Sequence, residues 1–297
     1  MSTLKALRTR IKSVKATQKI TTAMKLVSAA KLRRAQEQLE SYKSYAQTLD
    51  HAWQSALSGC DKDDLPKWLL PETSTEASEL VVVFMADRGL CGSYNAVITR
   101  YIRHMMMTAK SQNRTIKILP LGFKAIDLLR GEFQSSFLKI LFENREKKPT
   151  LSQILHTTGD FLVEHLKENQ YSSVKLVFTE FRSILRQDVT QCELLIGGSE
   201  TDSPGSDIAG GYGPLLEPNA GELINNLAAM YVTSRIRYAL YQSQTSEQAA
   251  RMRAMDAATD NANDIITKLN RTYNRTRQAG ITRELIEIIS GANALAN

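Results

Sequence analysis

The turn Asp87-Arg-Gly-Leu-Cys-Gly-Ser-Tyr-Asn95 follows a valine-rich run and precedes a helical stretch, where a nucleotide-binding α/β protein keeps its phosphate loop. It lacks the third glycine of a dinucleotide fingerprint, and no acid stands near 20 residues further on to meet a ribose. The pattern GxxxxGK[ST] occurs nowhere, so no loop cradles ATP. His51, His104, His156 and His165 lie in no metal-ligand spacing and are expected on helix faces. Cys60, Cys91 and Cys192 are an odd number without a CxxC pair, which points to free thiols in a reducing compartment. No serine, cysteine or carboxylate sits in a recognisable triad or acid/base pair. These residues predict no catalytic site, no cofactor and no metal. A nucleotide or metal bound to residues 79–197 alone would revive an enzyme reading.

The remaining chemistry is electrostatic. Residues 1–58 carry eleven Lys or Arg and three acids, a local charge of +8, against +7 for the whole chain. The first acid is Glu37, and the cations are densest at Lys31, Arg33 and Arg34. An organellar transit peptide is also basic and acid-free, but here the apolar periodicity runs straight through the basic segment. Intrahelical Glu-to-Lys pairs that would relieve this charge are missing, so the arm is expected to meet a negatively charged partner. Nucleic acid, anionic lipid or an acidic protein surface would each satisfy the electrostatics; nucleic acid is the rival reading and would bring a steep salt dependence. No run of eighteen uncharged apolar residues spans a bilayer.

Two long helices must carry that charge. Residues 1–58 and 222–279 are each free of Gly and Pro. In the second, Ile224, Leu227, Tyr231, Ser234, Tyr238, Tyr241, Thr245, Gln248, Met252, Met255, Thr259, Ala262, Ile266, Leu269 and Tyr273 step by three and four, a left-handed coiled-coil seam. The first carries Leu4, Leu7, Ile11 and Val14, then Ile20, Met24 and Val27, then Leu39, Tyr42, Ala46, Leu49, Trp53 and Ala56. Each arm would be roughly 85 Å long at 1.5 Å per residue, and the two are predicted to pair as an antiparallel shaft. The second seam turns polar at Thr245 and Gln248, where Ala249, Ala250, Ala257 and Ala258 would allow another helix close. Gly280 is expected to loosen the helix before an apolar tail.

Between the arms the pattern changes. Pro66, Pro71 and the polar run 72–78 mark a connection. Buried strands are predicted at residues 80–86, 116–121, 174–178 and 192–196, with helices at 96–107, 123–129 and 151–166. Such alternation implies a parallel, Rossmann-like sheet. The predicted division is an N-terminal coiled-coil helix at 1–58, an α/β domain at 79–197, a flexible loop at 198–216, and a C-terminal coiled-coil helix with apolar tip at 217–297. The glycine-rich stretch 197–214 has no assigned role, and residues 217–219 supply helix-start chemistry.

Four stretches carry a family resemblance: QKITTAMKLVSAAKLRRAQ at 18–36, DRGLCGSYN at 87–95, SEQAARMRAMDAATDNA at 246–262 and RTRQAGITRELIEIISGANAL at 275–295. In this order they resemble the gamma subunit of rotary F-type ATP synthases. The resemblance implies a central rotor stalk inside a ring of three alpha and three beta subunits, which hold the nucleotide sites. It implies one copy per complex, a membrane c-subunit ring below, and epsilon as a further partner. Rotation would regulate ATP hydrolysis and proton flow. By the same resemblance Met24 and Lys25 face an acidic beta-subunit loop, Arg277 and Gln278 bond a second beta-subunit loop with Thr282 and Glu284 on the following turn, and Arg251 serves coupling. Ile288, Ile289, Ala292 and Leu295 match the tip that turns in a hydrophobic sleeve. The regulatory cysteine pair of chloroplast forms has no counterpart here, so thiol control is not expected. Beginning on Met1 suits a bacterial form, peripheral on the cytoplasmic side of the inner membrane.

Overall fold

Leu80, Val81, Val82, Val83 and Phe84 are all at most 1% exposed, so this run has to be covered on both faces. It forms β1 (Glu79–Phe84), flanked by β2 (Ile116–Leu121) and β3 (Ser173–Phe181), both parallel to it. The computed structural model describes residues 4–58, 65–73, 77–146, 149–195 and 220–296, the last without the side chains of 220 and 292–296. Strand side chains alternate between faces, and the two cores follow that period. Val81 and Val83 pack with Ile98, Ile102 and Leu129 of α2 (Tyr94–Ser111) and α3 (Phe123–Phe133). Leu80, Val82 and Phe84 pack with Leu155, Leu162 and Leu166 of α4 (Leu151–Glu168), and with Trp53, Ile224 and Tyr231 of the two long helices. A capping box opens α4, with the Gln153 amide donating to Thr150 Oγ1 at 3.3 Å and the Thr150 amide to Gln153 Oε1 at 2.8 Å.

The fourth strand departs from the all-parallel expectation. β4 (Gln187–Glu193) pairs antiparallel with β3, giving the order β2-β1-β3-β4. Only residues 182–186 separate the two strands, far short of a parallel crossover, and the Ser183 amide closes the turn on Arg186 O at 3.0 Å. Of the strand predicted at 192–196, only Cys192 and Glu193 lie in β4, and Ile196 lies outside the described residues. The loop predicted at 198–216, the helix-start residues 217–219 and Cys60 also lie outside them.

The long helices are α1 (Leu4–Ser58) and α5 (Ala220–Ala296), and the chain forms two compact units, each containing a stretch of both. The first unit is Lys31–Ala250 and contains the sheet. There α1 buries Leu32, Ala35, Leu39, Tyr42, Ala46, Leu49, Trp53 and Ala56 in steps of three and four. Trp53 stacks on Tyr231 at 5.0 Å, and the Tyr42 hydroxyl donates to Ser234 Oγ at 2.7 Å. Higher α1 numbers meet lower α5 numbers, so the pair is antiparallel. Here α5 also buries Ala228, Val232, Ile236 and Ala239 outside the expected seam, because it is covered by the sheet as well as by α1.

The second unit is Met1–Ala30 with Arg251–Asn297. It is antiparallel too, and polar contacts join its helices beside the buried Leu7, Met255 and Ala262. Gln18 Nε2 donates to Asn263 Oδ1 at 2.5 Å, Thr259 Oγ1 to Thr21 Oγ1 at 2.8 Å, and Lys25 Nζ to Asp256 Oδ1 at 2.5 Å. Thr21 and Ser28 are buried, whereas Ile20 and Val27 are more than half exposed and Met24 is half-buried. The predicted stretch Ile20, Met24 and Val27 is therefore not the seam. The cadence from Val14 continues through Gln18, Thr21, Lys25 and Ser28, and the apolar trio stands about one position beside it. Gly280 does not loosen α5, which runs through it unbroken.

Candidate functional site

The turn after β1 places two polar side chains. Leu90 and Gly92 take positive φ of 63° and 59°, which folds the chain back so that α2 begins at Tyr94. Asn95 Oδ1 accepts from the Ala86 amide at 3.2 Å, tying the start of α2 to the end of β1. The buried Tyr94 hydroxyl meets Ser243 Oγ of α5 at 2.7 Å. Burial pushes the Tyr94 phenol well above the usual tyrosine range, so it stays neutral and available as a donor.

Two further bonds join the same stretch of α5 to the end of β3. The Phe181 amide donates to Gln242 Oε1 at 2.9 Å, and Ser246 Oγ donates to the Thr179 carbonyl at 3.0 Å. Gln242, Ser243 and Ser246 are each at most 5% exposed. These three side chains stand beside the polar seam positions Thr245 and Gln248, off the predicted seam, and form a joint with the α/β layer. Its neighbour Ala250 packs into the core with Val81 of β1 and Ile98 of α2.

The four histidines all lie on helices, as expected. His165 is packed on Phe161 at 5.4 Å with Nε2 at 2.6 Å from the Tyr171 hydroxyl, and burial lowers its pKa. Among the described residues no three His, Cys, Asp or Glu side chains gather to hold a metal.

The residues assigned by resemblance fall in three places. Lys25 pairs with Asp256, and that hydrogen bond raises the ammonium pKa; Met24 is its half-buried neighbour on α1. Arg251 is buried on α5, 9% exposed. Arg277, Gln278, Thr282 and Glu284 are exposed on consecutive turns of α5, with Thr282 Oγ1 bonded back to Gln278 O at 3.0 Å. Ile288 and Ile289 are 67% and 58% exposed. Ala292 and Leu295 lie on α5 with side chains outside the described residues. Every side chain from 281 to 290 is exposed, an unusual state for a helix with five large aliphatic side chains there. On α1, Lys31, Arg33 and Arg34 are exposed, although Arg33 does find an intrahelical partner in Glu37 at 3.2 Å.

Comparison with known proteins decides the family. The family model described as ATP synthase matches residues 3–295. An "ATP synthase gamma chain" from Sinorhizobium medicae (strain WSM419) is 39% identical over 297 residues, covering 99% of this chain and all of the relative. The chain belongs to the ATP synthase gamma-chain family. A gamma chain from Hyphomonas neptunium (strain ATCC 15444) is 38% identical over 295 residues, again covering 99% and 100%. Among solved structures, the Tetrahymena thermophila mitochondrial ATP synthase central stalk and c-ring supplies a chain with a TM-score of 0.55 at 24% identity, covering 80% of this chain and 99% of that one. A chain from the Euglena gracilis mitochondrial ATP synthase OSCP/F1/c-ring structure gives 0.53 at 19% identity, covering 90% and 95%. These two establish that the gamma-chain fold is common to them.

Sequence reasoning missed the joint. Gln242, Ser243 and Ser246 stand beside the predicted seam rather than in it, and their partners lie far along the chain.

Proposed function

We propose that this chain is the central rotor stalk of a proton-translocating ATP synthase. It would couple rotation of a membrane c-subunit ring to conformational change in a ring of three alpha and three beta subunits, one copy per complex, with epsilon as an additional partner. The observation that carries this reading is end-to-end similarity to bacterial gamma chains at 39% identity. Two physical features support it. The long helices pair antiparallel within each unit, and the end of α5 carries exposed aliphatic side chains that need a socket.

In this reading the chain has no catalytic site. It acts by making different contacts with each beta subunit, which shifts their populations among nucleotide-binding states only as far as those contacts differ in free energy. Met24, Lys25, Arg251, Arg277, Gln278, Thr282 and Glu284 make the coupling contacts, and Ile288, Ile289, Ala292 and Leu295 form the tip. The α/β domain at 79–197 receives torque, and the helices at 1–58 and 217–297 deliver it. No described helix is long and apolar enough to cross a membrane, and attachment on the cytoplasmic side of a bacterial inner membrane comes through the complex.

Reconstitution tests this. The purified chain is mixed with alpha and beta subunits from the same source, and complex mass and ATP hydrolysis are measured. One copy per three alpha and three beta, with hydrolysis raised over alpha and beta alone, is expected. A chain that neither joins the ring nor changes its activity refutes the stalk.

A further inference from the structure

Apolar packing is non-directional, so a helix held against a sheet by hydrophobic contact alone can turn or slide at small cost. Hydrogen bonds between buried groups fix one arrangement, because any slip leaves them unpaired. On α5 three buried polar side chains lie within one and a half turns, and each reaches a different point of the α/β layer. Gln242 takes the Phe181 amide, Ser243 takes the Tyr94 hydroxyl, and Ser246 gives to the Thr179 carbonyl. Two of the points sit at the end of β3 and one at the start of α2. The α2 point is itself fixed to β1 through Asn95 and the Ala86 amide. Apolar side chains at 242, 243 and 246 would have continued the core on either side, formed by Leu240, Ala239 and Ala250.

We infer that Tyr94, Gln242, Ser243 and Ser246 are positioning residues that lock the α/β layer in rotational register on α5, so that torque reaching the layer passes into the helix without slip. This rests on the central-stalk reading. The motif at 87–95 then serves to place Tyr94, and Ser243, beside the predicted seam, is the socket for it.

The test combines Gln242→Ala, Ser243→Ala and Ser246→Ala in the reconstituted complex with its membrane sector. ATP hydrolysis should stay within about twofold of wild type, while protons pumped per ATP against an opposing gradient fall at least twofold. Gln242→Glu, Ser243→Thr and Ser246→Thr keep an acceptor or hydroxyl at each point and should restore the ratio. In the full chain alone, Gln242→Ala should speed hydrogen exchange at the Phe181 amide about tenfold, the equivalent of about 1.4 kcal/mol. A triple variant that pumps as many protons per ATP as wild type, although Phe181 exchanges faster, overturns the inference, since the bonds would then hold structure without carrying torque. If the triple variant fails to assemble, Gln242→Ala alone is read for the same ratio. Failure of the wild-type chain to assemble and couple refutes the stalk itself and the mechanical role with it. Unchanged Phe181 exchange in Gln242→Ala overturns the joint independently.

Discussion

Gly122 is the position where one methyl group should do most harm. It has φ of 95° and ψ of 139°, a conformation that L-residues rarely adopt, and it sits between β2 and α3. A Cβ there would run into the Met85 carbonyl oxygen, with the Met85 carbonyl carbon at 2.9 Å and Ala86 O at 3.3 Å. These are backbone atoms, held by the Met85 amide bonding Leu121 O at 2.9 Å and the Lys124 amide bonding Ala86 O at 3.0 Å, so they cannot swing aside as a side chain would. Strained backbone costs about 1–3 kcal/mol, and overpacking adds about 1–3 kcal/mol. Gly122→Ala should therefore lose about 2–6 kcal/mol, a large share of the roughly 5–15 kcal/mol that holds a domain folded. Urea unfolding followed by the fluorescence of Trp53 and Trp68 reads it. With an m value on the order of 3 kcal/mol per M, the midpoint should drop by roughly 0.7–2 M. Gly131, exposed in α3 with open space around a Cβ, is the control. Gly131→Ala should gain up to about 1 kcal/mol from helix propensity alone. Equal midpoints for Gly122→Ala and wild type would refute the steric argument, and an equal loss in Gly131→Ala would show that the sheet layer dislikes any change in α3.

Trp53→Ala removes a side chain 2% exposed and stacked on Tyr231, and should cost about 3–5 kcal/mol in the same urea titration followed by Trp68. Burial pushes the Tyr231 phenol up to about 12, so it favours the folded state fully below the unfolded value near 10 and loses that contribution as pH rises through 12; ultraviolet absorbance should show a tyrosine that ionises after the exposed ones, and one ionising with them would contradict its burial. Met24→Lys sets a second ammonium beside Lys25 on the α1 face and should lower protons pumped per ATP hydrolysed in the reconstituted complex; an unchanged ratio would count against a coupling role for Met24.

The parts legible in the sequence are those whose cause is local. The run at 80–84 reads as a doubly covered strand because five successive side chains are apolar. The buried positions of α1 from Leu39 to Ala56 follow from counting threes and fours. What stayed hidden depends on partners far along the chain. Thr21 looks like a surface residue until Thr259, 238 positions away, supplies its partner. The same holds for Ser243 and Tyr94, 149 apart. A reading that rewards apolar residues was bound to choose Ile20 and Val27 over Thr21 and Ser28. The antiparallel β4 was legible in principle from its five-residue connection, but the valine-rich alternation upstream favoured another parallel strand.

The polar rungs between α1 and α5 in the smaller unit have a use beyond satisfying one another. A purely apolar heptad pair can slip by seven residues with little loss, since each seam residue meets another of its kind, and buried polar pairs fix register at some cost in stability. Here Lys25 meets Asp256 and Thr21 meets Thr259. A slip of one heptad would set Lys25 against Asn263 and Thr21 against Ile266, so the ammonium would lose its carboxylate and the threonine its hydroxyl partner. The chain thus uses the same device twice: half-buried polar contacts set the register of α1 on α5 in one unit, and buried ones that of the α/β layer on α5 in the other. Apolar burial supplies the adhesion in both. A stalk that must turn as one body needs the two together, because adhesion without register would dissipate torque as slip.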